Sequence, residues 1–381
     1  MDVDELIHQA ITRVGSSDFG PDGWREPLEV LVDSMNTEAH LNELGEAVTA
    51  YRLVEHLVAR LEVEQCFAQN PEIADEVIVR PVFGLGLPRT GSTALSFLLS
   101  LDDEHRSLRT WEAGKPVPPP ETATQHDDPR IALADAEITV VKQMFPDFVG
   151  MLPTSATGPQ ECLLLMALDF RSQMFEATAK IPTYSKYLAE CDLTTTYAYH
   201  RRVLQLLQWR CPPNSWWLKT PAHMQHIEEL NTIYPDAEFV MTHRDVAKVV
   251  PSVCALMSAL SSPMTNVPDP LYVGALTSNE WEESLHRLMN FRDRGNEHRF
   301  HDVKFADLQR EPVASIRALY TSLGQTLRPE TAELMAGWWA DNSSGRAGQR
   351  RHDVAQFGLD LAELDQRFAF YRERFDLTAE R

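Results

Sequence analysis

The chain has 381 residues, 43% of them hydrophobic, enough for a sizeable core in one large domain or two. Its 35 basic and 56 acidic side chains leave a net charge of −21, which argues against nucleic acid and other polyanions as partners but not against a small anionic cofactor held by a few local cations. Five scattered cysteines (Cys66, Cys162, Cys191, Cys211, Cys254) include no CxxC pair, so neither a disulfide framework nor a zinc knuckle is indicated.

The N-terminus, "MDVDELIHQA", is acidic and has no signal-peptide core. Residues 1–75 read as a helical lobe. Leu41, Leu44, Val48, Tyr51, Leu57 and Leu61 recur at roughly helical spacing, and Asn70-Pro71 closes the lobe. A second domain is expected over 76–381, where short apolar strands alternate with helices. The strand candidates are Val82–Gly86, Ser107–Trp111, Ser215–Lys219, Glu238–Thr242 and His301–Phe305. Such alternation predicts an α/β fold: a P-loop-like parallel sheet flanked by helices, with ligands bound beyond the carboxyl ends of the strands. Between the second and third strands, residues 115–214 are expected to form a helical cap. "GKPVPPPE" opens this stretch in extended form, and "QECLLLMALDFRSQMFEATA" reads as one buried helix. Met144, Phe145, Phe148, Met151, Leu152 and Phe170 hint at an apolar pocket there. The longest apolar stretch, near "CLLLMAL", is far too short to span a bilayer, so a soluble, cytoplasmic protein is expected. Residues 342–358 read as a polar Gly/Arg loop before an expected final amphipathic helix around Leu361, Leu364, Phe368 and Tyr371.

The most informative turn is "GLGLPRTGST", residues 84–93, between the first strand and a helix. The dinucleotide fingerprint GxGxxG requires glycine at position 89, which is Arg89. The pattern GxxxxGK[ST] begins well with Gly86 and Gly91, but its lysine position is Ser92. The main cation for a nucleoside triphosphate is therefore absent from its usual place. Arg89 instead lies inside the loop. Backbone N–H groups from Thr90 to Thr93, with the hydroxyls of Ser92 and Thr93, point towards an anion at the helix N-terminus. Downstream, "FVMTHRDVAKVVPSVCAL" puts Arg244 at a strand end and Ser252 two helical turns later on the same face.

Together these elements resemble sulfotransferases that use 3′-phosphoadenosine-5′-phosphosulfate (PAPS). The likeness is to a bacterial group related to the tyrosylprotein and Golgi-type enzymes. "PRTGST" is similar to the family's 5′-phosphosulfate loop, and the strand–Arg244–helix–Ser252 arrangement to its 3′-phosphate site. "WWLKTPAHMQHIEELNTIYPDAEFVMTHRD", "RTWEAGKPVPPP" and "VKFADLQREPVASIRALYTSLG" resemble further family segments, so the likeness covers roughly residues 80–375. It implies PAPS as donor, the bisphosphate PAP as product, and Arg89, Thr90, Gly91, Ser92, Thr93, Arg244 and Ser252 as donor-binding residues. Two departures stand out. The loop cation is Arg89 where many relatives carry lysine. "SSGRAGQRR" places Arg346 inside the C-terminal glycine loop and Arg350 and Arg351 after it, which leaves open the one that meets the 3′-phosphate.

Sulfuryl transfer to an alcohol requires in-line positioning, stabilisation of the leaving phosphate, a proton acceptor and exclusion of water. Arg and Lys can meet the leaving group without a metal. Arg89 and Lys219, at the end of "WWLK", suit that task. Glu112, just past the second strand where relatives keep a glutamate, is the candidate base, with burial expected to raise its pKa. Glu161 on the cap is its rival. His105 lies in "DDEHRS", read as an exposed loop. A metal at His223 and His226 would need ligands the sequence does not offer. The expected acceptor is a small or lipid-like alcohol. Two other classes remain at this point: a kinase of the same general fold, and a non-catalytic nucleotide-binding protein.

Overall fold

The computed structural model describes residues 1–148, 151, 153–343 and 353–378. The chain divides into two compact units, each made of separate stretches of sequence: Met1–Val79, Leu108–Asn214 and Met257–Asp269 in the first, Arg80–Ser107, Ser215–Leu256 and Pro270–Arg381 in the second.

The first unit is helical. Its longest helix, Glu43–Gln69, starts at Asn42, whose side chain accepts a hydrogen bond from the Gly45 N–H at 2.8 Å. The helical period expected here is present, but the buried face is only partly the expected one. Leu57 and Leu61 are wholly buried, whereas Leu44 and Tyr51 are 40% and 57% exposed. The first turns of this helix reach solvent; its later turns are packed nearly all round, by Leu53, Val54, Val58, Val63 and Phe67.

A buried ion network ties three parts of this unit together. The Arg60 guanidinium donates to Asp169 Oδ1 at 3.2 Å and to the carbonyls of Phe19, Pro21 and Leu168. Arg171 and Thr196 reach the other oxygen of Asp169, at 2.6 and 2.7 Å. This network explains a departure from the sequence reading. Residues 160–179 do not form one helix. One turn, Leu163–Met166, passes into a 3₁₀ turn, Ala167–Asp169, and Phe170 follows with φ 56°. The chain turns at Asp169 because a buried carboxylate must meet its cationic partners there.

The second unit holds a five-stranded sheet, all of it parallel. The strands are β1 (Val82–Leu85), β2 (Arg106–Ser107), β3 (Trp216–Lys219), β4 (Glu238–His243) and β5 (Phe300–Lys304), in the order β2-β3-β1-β4-β5. Alternation along the strands sends side chains to two apolar layers. Val82, Trp217, Val240 and Val303 pack with Leu95, Leu98, Ile316, Leu319 and Met335. Phe83 and Phe239 face the opposite way, against Tyr234, His223 and Phe291.

The second strand is much shorter than the expected Ser107–Trp111. It leaves the sheet after Ser107, and Thr110–Gly114 winds into a helical turn. The reason is a different pairing. Within the first unit, Thr110 and Trp111 donate their N–H groups to Gly158 and Ala156, and Leu108 accepts from Gln160. The expected final helix is likewise two short ones, Leu361–Arg367 and Ala369–Arg374, parted at Phe368. The most apolar long helix is not the one near "CLLLMAL". Val246–Met264 has the length and composition of a membrane span. It continues from β4, and Val249, Val250 and Val253 are buried.

Candidate active site

At the carboxyl end of β1 the chain turns into the helix Ser92–Leu99. Gly86 and Gly91 hold φ of 106° and 87°, and Arg89 between them holds φ 66°, a left-handed conformation rare for a residue with a long side chain. Gly91 stands at the N-cap and no side chain caps the helix, so its first N–H groups face outwards. Thr90, fully buried, locks the turn: its hydroxyl bonds the Leu87 carbonyl and the Thr242 hydroxyl, both at 2.6 Å. Ser92 is buried in the first helical turn and Thr93 is half-buried beside it.

The second element meets the first here. The Arg89 Nε–H donates to Ser252 Oγ at 3.1 Å, and Arg244 Nη1 donates to the Arg89 carbonyl at 3.1 Å. The structure thus brings Arg89, Arg244 and Ser252 together across more than 150 residues of sequence. The Arg244 guanidinium lies over the Phe305 ring, 4.0 Å from its centre. Burial, and then the like charge of Arg244, hold the Arg89 pKa below its usual value. Two cations forced this close favour an anion between them.

Lys219 ends β3 and is buried. It pairs in register with Gly84 of β1. A side chain at Gly84 would place its Cβ 2.9 Å from Lys219 Cγ, so the glycine leaves the path along which the lysine stem runs.

Glu112 belongs to the first unit. It is wholly buried, and its carboxylate folds back to accept from the Arg109 guanidinium at 2.5 Å and from the Arg109 N–H at 3.2 Å. Arg109 is itself bridged to Pro159, two residues before the half-buried Glu161. The two carboxylates proposed as rivals therefore sit on segments that pair with each other. His105 does not lie in an exposed loop: its Nδ1 bonds Ser215 Oγ at 2.7 Å and its ring meets Trp217 edge-on, beside the start of β2. Arg346, Arg350 and Arg351, with Leu152, lie outside the described residues.

Sequence reasoning missed Thr242, Phe305 and Arg109. Thr242 stands two residues before Arg244, and Phe305 directly follows β5, so both were visible as strand-end residues.

A model of the sulfotransferase family matches residues 81–329. The chain belongs to the sulfotransferase family. Its fold is similar to that of sulfotransferase STF9 from Mycobacterium avium, with TM-score 0.90 and 30% identity over 99% of this chain and 97% of that one. It is also similar to sulfotransferase STF1 from Mycobacterium tuberculosis H37Rv, with TM-score 0.86 and 33% identity over 97% and 99% of the two chains. Among curated sulfotransferases, the omega-hydroxy-beta-dihydromenaquinone-9 sulfotransferase Stf3 of Mycobacterium bovis and Mycobacterium tuberculosis is 25% identical over 265 residues. That match spans 66% of this chain and 65% of the relative's length. The family membership sets aside the kinase reading of the "PRTGST" turn.

Proposed function

We propose that this protein transfers the sulfuryl group of PAPS to a hydroxyl of a small or lipid-like acceptor. The observation that supports it most is the convergence of Arg89, Arg244 and Ser252 on one glycine-bearing turn. The residues present fit the donor: an uncapped helix start that includes the Thr90 to Thr93 backbone, hydroxyls at Ser92 and Thr93, and two permanent cations, Arg89 and Arg244, joined through the Arg89 carbonyl. The donor, when bound, supplies an activated sulfur–oxygen bond to its 5′-phosphate.

In this reading the acceptor oxygen attacks sulfur in line as the bond to the phosphate oxygen breaks. Arg89, Lys219 and the loop N–H groups stabilise the charge that develops on that oxygen. Arg244 and Ser252 hold the 3′-phosphate, with one of Arg346, Arg350 and Arg351 as a further partner. Glu112 takes the hydroxyl proton, oriented by its two bonds to Arg109. PAP is the remaining product. Stf3 is named for omega-hydroxy-beta-dihydromenaquinone-9, a lipid-like quinone acceptor. By extension, an alcohol on an apolar chain is the acceptor class we assign, and the cytoplasm the compartment.

Thermal unfolding tests the donor site, because a ligand that binds only the native state raises the melting temperature. At 100 times its Kd a ligand adds about 2.7 kcal/mol. Adenosine 3′,5′-bisphosphate is expected to raise Tm by several degrees, and ATP with magnesium to leave it unchanged. The opposite pattern would overturn the reading.

A further inference from the structure

The strand-to-helix turn that carries Arg244 is held from behind by the end of the chain. His243 is the last residue of β4, immediately before Arg244. Its Nδ1 bonds the Tyr371 hydroxyl at 3.0 Å and its Nε2 bonds Asp302 Oδ1 at 2.8 Å. Arg292 fixes Asp302 in turn, with Nη1 and Nη2 donating at 2.9 and 2.8 Å to its two oxygens. The Phe375 ring lies against the His243 ring, with centres 4.0 Å apart. Tyr371 is fully buried in the helix Ala369–Arg374, and its hydroxyl oxygen also receives the backbone N–H of Arg244. One phenol oxygen thus touches both residues of the turn.

We infer that Tyr371 is a positioning residue for donor recognition: through His243 and the Arg244 backbone it sets where the Arg244 guanidinium stands. The inference rests on the reading of Arg244 as a 3′-phosphate ligand. Its physical basis is the short lever between the two points. The Arg244 side chain is steered at its far end by Phe305 and the Arg89 carbonyl. The Tyr371 oxygen, through the Arg244 N–H and His243 Nδ1, ties its near end to the C-terminal helix. A bidentate arginine contact is lost when the guanidinium moves by a fraction of an ångström, so a backbone hydrogen bond at its root bears on affinity.

Tyr371→Phe removes the hydroxyl and keeps the ring. Tyr320→Phe is the control, since Tyr320 is a buried tyrosine of the same unit whose hydroxyl bonds Asp102 at 2.6 Å, away from the turn. Calorimetric titration with adenosine 3′,5′-bisphosphate and adenosine 5′-phosphate reads the 3′ contribution as a ratio of affinities. Tyr371→Phe is expected to weaken the bisphosphate about five- to tenfold and the monophosphate less than twofold. Tyr320→Phe is expected to leave the ratio unchanged, even where its Tm falls as far. A wild-type ratio that persists in Tyr371→Phe, or losses equal for both ligands, overturns the inference alone. Wild-type protein that does not prefer the bisphosphate overturns the reading of Arg244, and the inference falls with it.

Discussion

Arg89 carries two costs: a left-handed backbone and a cation pressed against another cation. Each is of the kind that persists where surrounding structure over-determines a site. Thr90 and Thr242 supply that surrounding structure, because their mutual hydrogen bond pins the residue after Arg89 to the end of β4. Glu112 is the residue whose role is most open to test. Glu112→Gln keeps the shape and cannot accept a proton. Donor affinity should stay near that of wild type while transfer falls roughly 10²- to 10⁴-fold. Glu161→Gln should transfer at close to the wild-type rate. Steady-state kinetics on both variants decides between them: an active Glu112→Gln beside an inactive Glu161→Gln would move the base to the neighbouring segment. Arg89, Arg244 and Ser252 were legible in sequence because their motifs are local. Arg109 as the partner of Glu112 was not, because a cation three residues away reads equally well as a solvated side chain.

Elements were legible where one force decides them. β1, β3, β4 and β5 fall within about a residue of expectation; the first three are short apolar runs ended by a polar residue or glycine, and β5, FHDVK, alternates only around Phe300 and Val303. The helix expected over 160–179 failed because an apolar run with one aspartate gives no sign of an arginine over 100 residues away that will claim it. The same unit holds another buried polar group with a measurable consequence. His56, in the helix Glu43–Gln69, is edge-on to Phe175, and its Nε2 is buried with no hydrogen-bond partner among the described residues. Burial, and then the nearby Arg52, depress its pKa to about 4. The unfolded chain takes up the proton first, near its ordinary value of 6.5. Stability from this group is therefore complete above about pH 6.5, falls as the pH drops towards 4, and levels off below. The size is roughly 3 kcal/mol at about 1.4 kcal/mol per pH unit. Chemical denaturation from pH 7 to 4 should show this loss, and His56→Gln should make the slope shallower, the remainder coming from groups such as His200, which burial in the same unit depresses to about 3. An unchanged slope in the variant would place the acid sensitivity elsewhere.

For the whole molecule, the parallel sheet with its site at the strand ends was readable from alternation and one loop. The assembly of units from interleaved stretches was not. Residues 1–79, 108–214 and 257–269 share one unit: the buried pair Arg60–Asp169 joins the first two stretches, and Asn42, whose side chain donates to the Pro263 carbonyl at 3.0 Å, joins the first to the third. No composition shift marks those joins. The central claim remains chemical: the "PRTGST" turn presents a sulfuryl donor to an alcohol. Its most direct measurement is transfer of ³⁵S from labelled PAPS to a long-chain primary alcohol, separated by solvent extraction. Wild-type protein should move label into the organic phase without added metal. Arg89→Ala should bind the donor roughly 10- to 100-fold more weakly, the loss of one charge-assisted contact, and transfer correspondingly less at low donor concentration. The account is contradicted if label stays with the donor while ³²P passes from ATP to the same alcohol, or if Arg89→Ala binds and transfers as wild type does.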